Sequence, residues 1–224
     1  MKAMILAAGR GERMRPLTDR LPKPMLPVAG KPLIEHQVSR LTAAGITEIV
    51  INLGWLGDTI RDHLGSGEQF GARITYSIEP PGALETAGGI VHALPLLGTA
   101  PFLLVNADVL CDFDLSRLRG RRPAGQAHLV MVPNPAHHPD GDFALIDDRI
   151  CPEGRPRLTY GGIGVFDPAL FAGLEPGRRP LRPVLEQAIA AGGVTGELHR
   201  GLWLDVGTPE RLAQAQSLWP PYRR

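Results

Sequence analysis

Apolar and polar positions alternate along the chain in blocks that change period. Ala3–Ala8 is an unbroken apolar run closed by Gly9, the pattern of a strand covered on both faces in a parallel sheet. Pro32–Ala44 sets Leu33, Ile34, Val38 and Leu41 at helical spacing, and Gly45 marks the stop. Ile46–Asn52 is rich in β-branched residues and predicts a second strand. Trp55–Leu64 predicts a short amphipathic helix and Arg73–Ile78 a third strand. Ala87–Leu94 reads as a helix with Gly88 and Gly89 in its first turn, and Pro101–Asn106 as a fourth buried strand. The order β-α-β-α-β-α-β predicts a parallel sheet with right-handed crossovers.

The second half is less regular. His128–Pro133 and Leu158–Phe166 predict strands, the latter assigned to a smaller mixed sheet. Leu181–Ala191 predicts a helix, and Val194–Arg200 and Leu202–Asp205 predict short strands. Pro209–Leu218 predicts a last helix, with Thr208 as N-cap and Pro209 at the first helical position. No internal repeat and no linker divides the chain, so the expectation is one α/β domain over 1–224. Its central sheet would be Rossmann-like and mostly parallel, with a small mixed sheet beside it.

Composition narrows the function. At 224 residues the chain is long enough to bury a core without disulfides. Lys+Arg 24 against Asp+Glu 23 leaves +1, which removes the electrostatic case for a nucleic-acid binder. Cys111 and Cys151 are too few for a disulfide framework or a Cys-rich zinc site, so a reduced, cytoplasmic setting is expected. No apolar stretch approaches the length of a membrane span, and the N-terminal run is too short for a signal peptide.

The densest chemistry follows the first strand: Leu6-Ala7-Ala8-Gly9-Arg10-Gly11-Glu12-Arg13-Met14-Arg15-Pro16-Leu17-Thr18. Glycines let backbone N–H groups line an anion-binding loop at the carboxyl end of a strand, where open α/β sheets bind ligands. Arg10, Arg13 and Arg15 add cations suited to phosphate oxygens. A P-loop would need Gly-Lys-Ser/Thr where Arg13-Met14 stands, and a dinucleotide fingerprint would need glycine at Met14. Downstream, Pro22 and Pro24 fix the backbone around Lys23, giving a rigid point charge. Asp108 closes the fourth strand at the same sheet edge. Asp205 lies in Trp203-Leu204-Asp205-Val206-Gly207-Thr208, and spacing alone does not bring the two aspartates together. Cys111 has no neighbouring His in sequence and reads as a packing residue. Trp55 and Trp203 read the same way.

The glycine-rich segment followed by Pro22-Lys23-Pro24 resembles the signature of the sugar-1-phosphate nucleotidyltransferase family, and the similarity runs over the whole chain. The resemblance implies a GT-A-like fold, with the mixed sheet over the sugar site, and transfer of a nucleotidyl group from a nucleoside triphosphate to a sugar 1-phosphate. It assigns Lys23 and Arg13 to phosphate chemistry, and Asp108 and Asp205 to Mg²⁺. Ala8, Gly9, Gly11, Glu79 and Gly88 would hold the nucleotide, and Asn106, Asp142 and Gly162 the sugar. Ala107 departs from the Gly or Ser of many relatives, and Ala87 from the third Gly of the muramic acid branch. Length and local segments, His137-His138 among them, are most similar to that branch. It uses UTP and N-acetylmuramic acid 1-phosphate in peptidoglycan recycling. Among Arg155, Arg157, Arg179 and Arg182 as partners for a lactyl carboxylate, the sequence does not choose. Mannose 1-phosphate guanylyltransferase and glucose 1-phosphate nucleotidyltransferase activities stay open. A non-catalytic nucleotide-sugar sensor would be expected to lose Lys23 or an aspartate. No nucleic-acid or membrane partner, no C-terminal hexapeptide-repeat domain and a monomer are expected.

Overall fold

The computed structural model describes residues 1–219. In chain order its strands and helices are β1 (Ala3–Leu6), β2 (Pro27–Val28), β3 (Lys31–Pro32), α1 (Leu33–Ala43), β4 (Glu48–Leu53), α2 (Gly57–Leu64), β5 (Arg73–Ile78), α3 (Glu85–Leu97), β6 (Phe102–Asn106), β7 (Val109–Cys111), β8 (Ala127–Val132), β9 (Phe143–Ile146), β10 (Arg149–Cys151), β11 (Arg157–Phe166), α4 (Leu181–Ala190), β12 (Val194–Leu198), β13 (Trp203–Asp205) and α5 (Pro209–Leu218). Every helix and strand named from the pattern is present, with ends shifted by a few residues. The strand expected over 194–200 stops at Leu198. Helix α3 runs three residues past Leu94 because Pro95 falls in its last turn, where one missing N–H costs a single ladder bond.

Nine strands form one sheet in the order β5-β4-β1-β6-β11-β8-β12-β10-β9. The β5-β4-β1-β6 half is parallel throughout. From β6 onward the sheet is mixed: β11 runs antiparallel to β6 and β8, β12 is parallel to β8, and β10 and β9 are antiparallel. Two expectations are corrected here. The sheet is parallel throughout only in its N-terminal half and mixed beyond it, and Leu158–Phe166 belongs to the main sheet rather than to a separate small one. The start of β11 also pairs β9, so the far end of the sheet curls back on itself. Long-range pairing of this kind leaves no local periodicity to read.

Side chains alternate between two cores. Ala3 and Ile5 of β1 and Leu103 and Val105 of β6 join Ile34, Val38 and Leu41 of α1 on one face. Met4, Phe102 and Leu104 meet Ala87, Ile90 and Ala93 of α3 and Leu185 of α4 on the other. Covered faces on both sides explain why these strands read as continuous apolar runs. The register sets Leu6 beside both Asn52 and Asn106, so the ends of β1, β4 and β6 are level. That level edge is the floor of the site. A small ribbon, β7 against β13, stands beside it.

Candidate active site

A cavity of about 420 Å³ opens at that edge. Ala8, Gly9, Gly11, Arg13, Lys23, Glu79, Asn106 and Asp108 all line it, drawn from four segments of the chain. Gly11 makes the first turn possible: its φ is +68°, and a Cβ there would lie 3.2 Å from Lys23 Cβ and 3.1 Å from Thr18 Cγ2. The glycine loop and the Pro22-Lys23-Pro24 segment are therefore packed on each other. Thr18 locks the turn by donating its hydroxyl to the Gly11 carbonyl at 2.8 Å. Lys23–Met25 forms one tight helical turn, with the Met25 N–H on the Pro22 carbonyl at 2.8 Å.

Lys23 Nζ donates to Asp108 Oδ2, and both side chains are largely shielded. A lysine and an aspartate from separate motifs thus neutralise each other at the cavity wall. Asp205 is brought beside Asp108 by the ribbon. It pairs with Val109, and the next N–H, of Val206, donates to the Asp108 carbonyl at 2.8 Å. The Asp205 carboxylate lies outside the cavity wall, held by Arg211 Nη1 and by His137 Nε2 at 3.2 Å. Gly207 lines the cavity and leaves room for that arginine; a Cβ there would run into the Arg211 guanidinium.

The three expected loop cations divide. Arg13 faces the cavity. Arg10 lies over the Trp55 ring at 3.7 Å and donates to the Thr18 carbonyl at 2.7 Å. Arg15 pairs with Asp19 at 2.8 Å. Both therefore brace the loop rather than point at a ligand, and Trp55 and Trp203 pack and hydrogen-bond as structural residues.

Elsewhere on the cavity, Asn52 links β1 to Glu79, the residue expected to meet the nucleotide. It accepts the Ala7 N–H at 2.7 Å and donates to Glu79 Oε1 at 2.7 Å. Burial pushes the Glu79 carboxyl above its ordinary range, with the hydrogen bonds from Asn52 and Leu84 opposing that rise. Gly89 leaves space for this carboxylate: a Cβ there would be 2.6 Å from Glu79 Oε1. Gly88, the expected nucleotide contact, does not line the cavity. Its N–H donates to the Arg179 carbonyl at 3.1 Å, and a Cβ would collide with the Gly177 carbonyl. It lets the 177–179 segment approach α3.

Of the residues expected to meet the sugar, Asn106 lines the cavity, while Gly162 does not line it and packs against Asn106. Gly162 has φ +72° inside a bulge of β11, and a Cβ there would be 2.7 Å from Asn106 Nδ2. Asp142 does not line the cavity. Its carboxylate accepts the Tyr160 N–H at 2.9 Å and lies 3.2 Å from His138 Nε2.

Sequence reasoning missed Asn52, buried in a β-branched run, and Arg211, whose only signal is its place in the first turn of α5. Thr208 does cap that helix, accepting the Arg211 N–H at 3.3 Å. Cys111 is buried and burial pushes its thiol up, so it is not an activated nucleophile.

Among families, residues 2–146 match the model described as nucleotidyl transferase. The chain is 55% identical to the N-acetylmuramate alpha-1-phosphate uridylyltransferase of Neisseria meningitidis serogroup B, over 97% of this chain and 98% of that one. It is 35% identical to the protein of the same name from Caulobacter vibrioides, over 96% and 95%. It is 31% identical to the mannose-1-phosphate guanyltransferase of Gibberella zeae, over 98% of this chain and 64% of the longer relative. A solved Bacillus anthracis structure, described as a glucose-1-phosphate thymidylyltransferase in complex with sucrose, superposes with TM-score 0.89. At 24% identity over 100% of this chain and 97% of that one, it shows the shared fold.

Proposed function

The chain belongs to the nucleotidyl transferase family, and we propose that it joins the uridylyl group of UTP to N-acetylmuramic acid 1-phosphate, releasing pyrophosphate. The transfer chemistry rests on one observation: Lys23 and Asp108 meet on the wall of a cavity that the glycine turn, packed against Lys23, also lines. The choice of sugar and base is supported by the Neisseria and Caulobacter relatives.

The reaction forms one P–O bond and breaks one. A phosphate oxygen of the sugar phosphate attacks the α-phosphorus, the bond from that phosphorus to the α–β bridging oxygen breaks, and pyrophosphate leaves. The attacking phosphate is already ionised at neutral pH, so no general base is needed. Positioning and charge neutralisation supply the catalysis. The N–H groups of Gly9–Glu12 and the Arg13 guanidinium bind the β- and γ-phosphates. Lys23 donates to the α-phosphate, exchanging Asp108 for substrate. Glu79, held by Asn52 and by the Leu84 N–H, lies where the base enters. Asn106 takes a sugar hydroxyl.

The carboxylates of Asp108 and Asp205 suit a hard divalent cation, and their strands are adjacent. They would hold Mg²⁺, which when bound neutralises charge on the phosphates. Among the described residues no helix is long and apolar enough to cross a membrane. The reading puts the enzyme in the cytoplasm, as a step of peptidoglycan recycling.

The test crosses UTP, GTP, CTP and dTTP with the 1-phosphates of N-acetylmuramic acid, N-acetylglucosamine, mannose and glucose, and reads pyrophosphate. The reading expects turnover concentrated on UTP with the muramic sugar. A preference for GTP with mannose 1-phosphate would replace the substrate. Nucleotide binding with no pyrophosphate from any pair would favour a sensor.

A further inference from the structure

The β7–β13 ribbon has a second end. Asp205 pairs with Val109 at one end, and Trp203 pairs with Cys111 at the other. Past that pair the Asp112 N–H donates to the Leu202 carbonyl at 3.0 Å. His199 is tied to β8, its N–H on the Met131 carbonyl at 2.8 Å. These bonds gather three metal-ligating side chains, the one such set among the described residues. Cys111 Sγ, an Asp112 carboxylate oxygen and a His199 ring nitrogen lie within 4.8 Å of one another.

Each ligand is held in place by its surroundings. His199 Nε2 lies 2.7 Å from Asp112 Oδ1, and the Phe113 ring stands perpendicular to the imidazole, with centroids 5.5 Å apart. Gly201 makes this pair possible: a Cβ there would lie 2.4 Å from Asp112 Oδ1 and 2.8 Å from His199 Nε2. Cys111 is buried, and its sulfur accepts the Phe113 N–H at 3.4 Å, the kind of outer hydrogen bond that orients a metal ligand. A second cavity of about 420 Å³ adjoins Cys111 and Asp112, so there is room for a water beside them. Arg40 lines that cavity too, but its guanidinium is directed to Gln37 Oε1 at 2.9 Å and the Phe113 carbonyl at 3.1 Å.

We propose that Cys111, Asp112 and His199 bind a zinc-type divalent transition-metal ion, with water as the fourth ligand. The donor set carries the choice of ion. A thiolate, an imidazole and a carboxylate suit Zn²⁺, whereas Mg²⁺ takes oxygen ligands. On binding, Cys111 passes its proton to solvent, and the imidazole keeps its one proton on the nitrogen that does not ligate. Coordination deprotonates the thiol outright, overriding the burial that otherwise keeps its proton on. The ion ties β7 to the turn that leads into β13. It stands three residues along the chain from Asp108, about 10 Å at the rise of a strand, and takes no part in the phosphate chemistry.

The test titrates the full chain, freed of metal by a chelator and kept without Mg²⁺ or nucleotide, with Co²⁺ as a coloured stand-in for Zn²⁺. Wild type is expected to develop the near-ultraviolet charge-transfer band of a cobalt–thiolate bond, and added Zn²⁺ to bleach it. Oxygen ligands such as Asp108 and Asp205 give no such band. Cys111→Ser is expected to lose the band, and Cys151→Ser, which changes the other cysteine, to keep it. His199→Gln alters a ligand outside the core and keeps the proposal testable if Cys111→Ser folds poorly; it is expected to weaken Co²⁺ binding at least about tenfold. Absence of the band in wild type at saturating Co²⁺ overturns the site. So does a band that survives Cys111→Ser, or wild-type affinity in His199→Gln.

Discussion

Lys23 and Asp108 reach the same cavity from positions 85 residues apart, and each is the other's partner. The pair holds two opposite charges ready for a ligand that brings both phosphate and cation. Asp108→Asn is expected to raise the Mg²⁺ concentration for half-maximal activity at least about tenfold, the cost usual even for an outer partner of a metal ligand. An unchanged Mg²⁺ titration would remove Asp108 from the metal site. Histidines far from the cavity set a different property. Burial lowers the basicity of His36 and His128, with Arg121 adding to the effect at His128. Both take up a proton less readily in the folded protein than in the unfolded chain, whose imidazoles charge below about pH 6.5. The unfolded state then binds more protons, so stability is full above that pH and is lost as pH falls through it. Melting temperature is expected to drop between pH 7.5 and 5.5, and His128→Gln to make the drop shallower; an equal slope would contradict the assignment. At this scale the sequence disclosed residues with unusual neighbours. Lys23 between prolines and Arg13 in a glycine loop were legible. Asn52 was not, because its meaning comes from Ala7 and Glu79, which are distant in sequence.

The β7–β13 ribbon brings the backbones of the two aspartates together, since it sets Asp205 opposite Val109 and the Val206 N–H on the Asp108 carbonyl. Helix α5 then supplies Arg211 to the Asp205 carboxylate. Removing that competitor in Arg211→Gln is expected to lower the half-saturating Mg²⁺ by about two- to fivefold, the size of a partly exposed ion pair. A weaker response to Mg²⁺ would show that Arg211 helps the cation rather than competes with it. The bulge in β11 is the sugar-side counterpart. Gly162→Ala places a side chain at positive φ and against Asn106, so it is expected to cost about 1–3 kcal/mol and raise KM for the sugar phosphate. Wild-type stability and KM together would mean that the bulge does not position Asn106. The pattern disclosed the helices, the strands of four or more residues except β9, and the three-residue β13. It did not disclose β2, β3, β7, β9 and β10, strands of two to four residues with few positions to show a period.

Across the whole molecule, the pairing of the parallel half was legible and that of the mixed half was not. Strands β1, β4, β5 and β6 alternate with helices, and the covered faces of β1, β4 and β6 write an apolar run into the sequence. The antiparallel return of β11 to β6 and its pairing with β9 follow no such alternation. The same division explains the site. Its glycine turn and Lys23 sit on local motifs, while Asn52 and Glu79 meet only in the folded sheet. The central claim is that the cavity transfers a nucleotidyl group with Lys23 as its cationic contact to the α-phosphate. The most direct test is single-turnover pyrophosphate release by Lys23→Ala, with UTP, N-acetylmuramic acid 1-phosphate and Mg²⁺, alongside its melting curve. The account predicts a rate about 10²–10³-fold below wild type, with the melting temperature within a few degrees. A rate near wild type in the folded variant would contradict it.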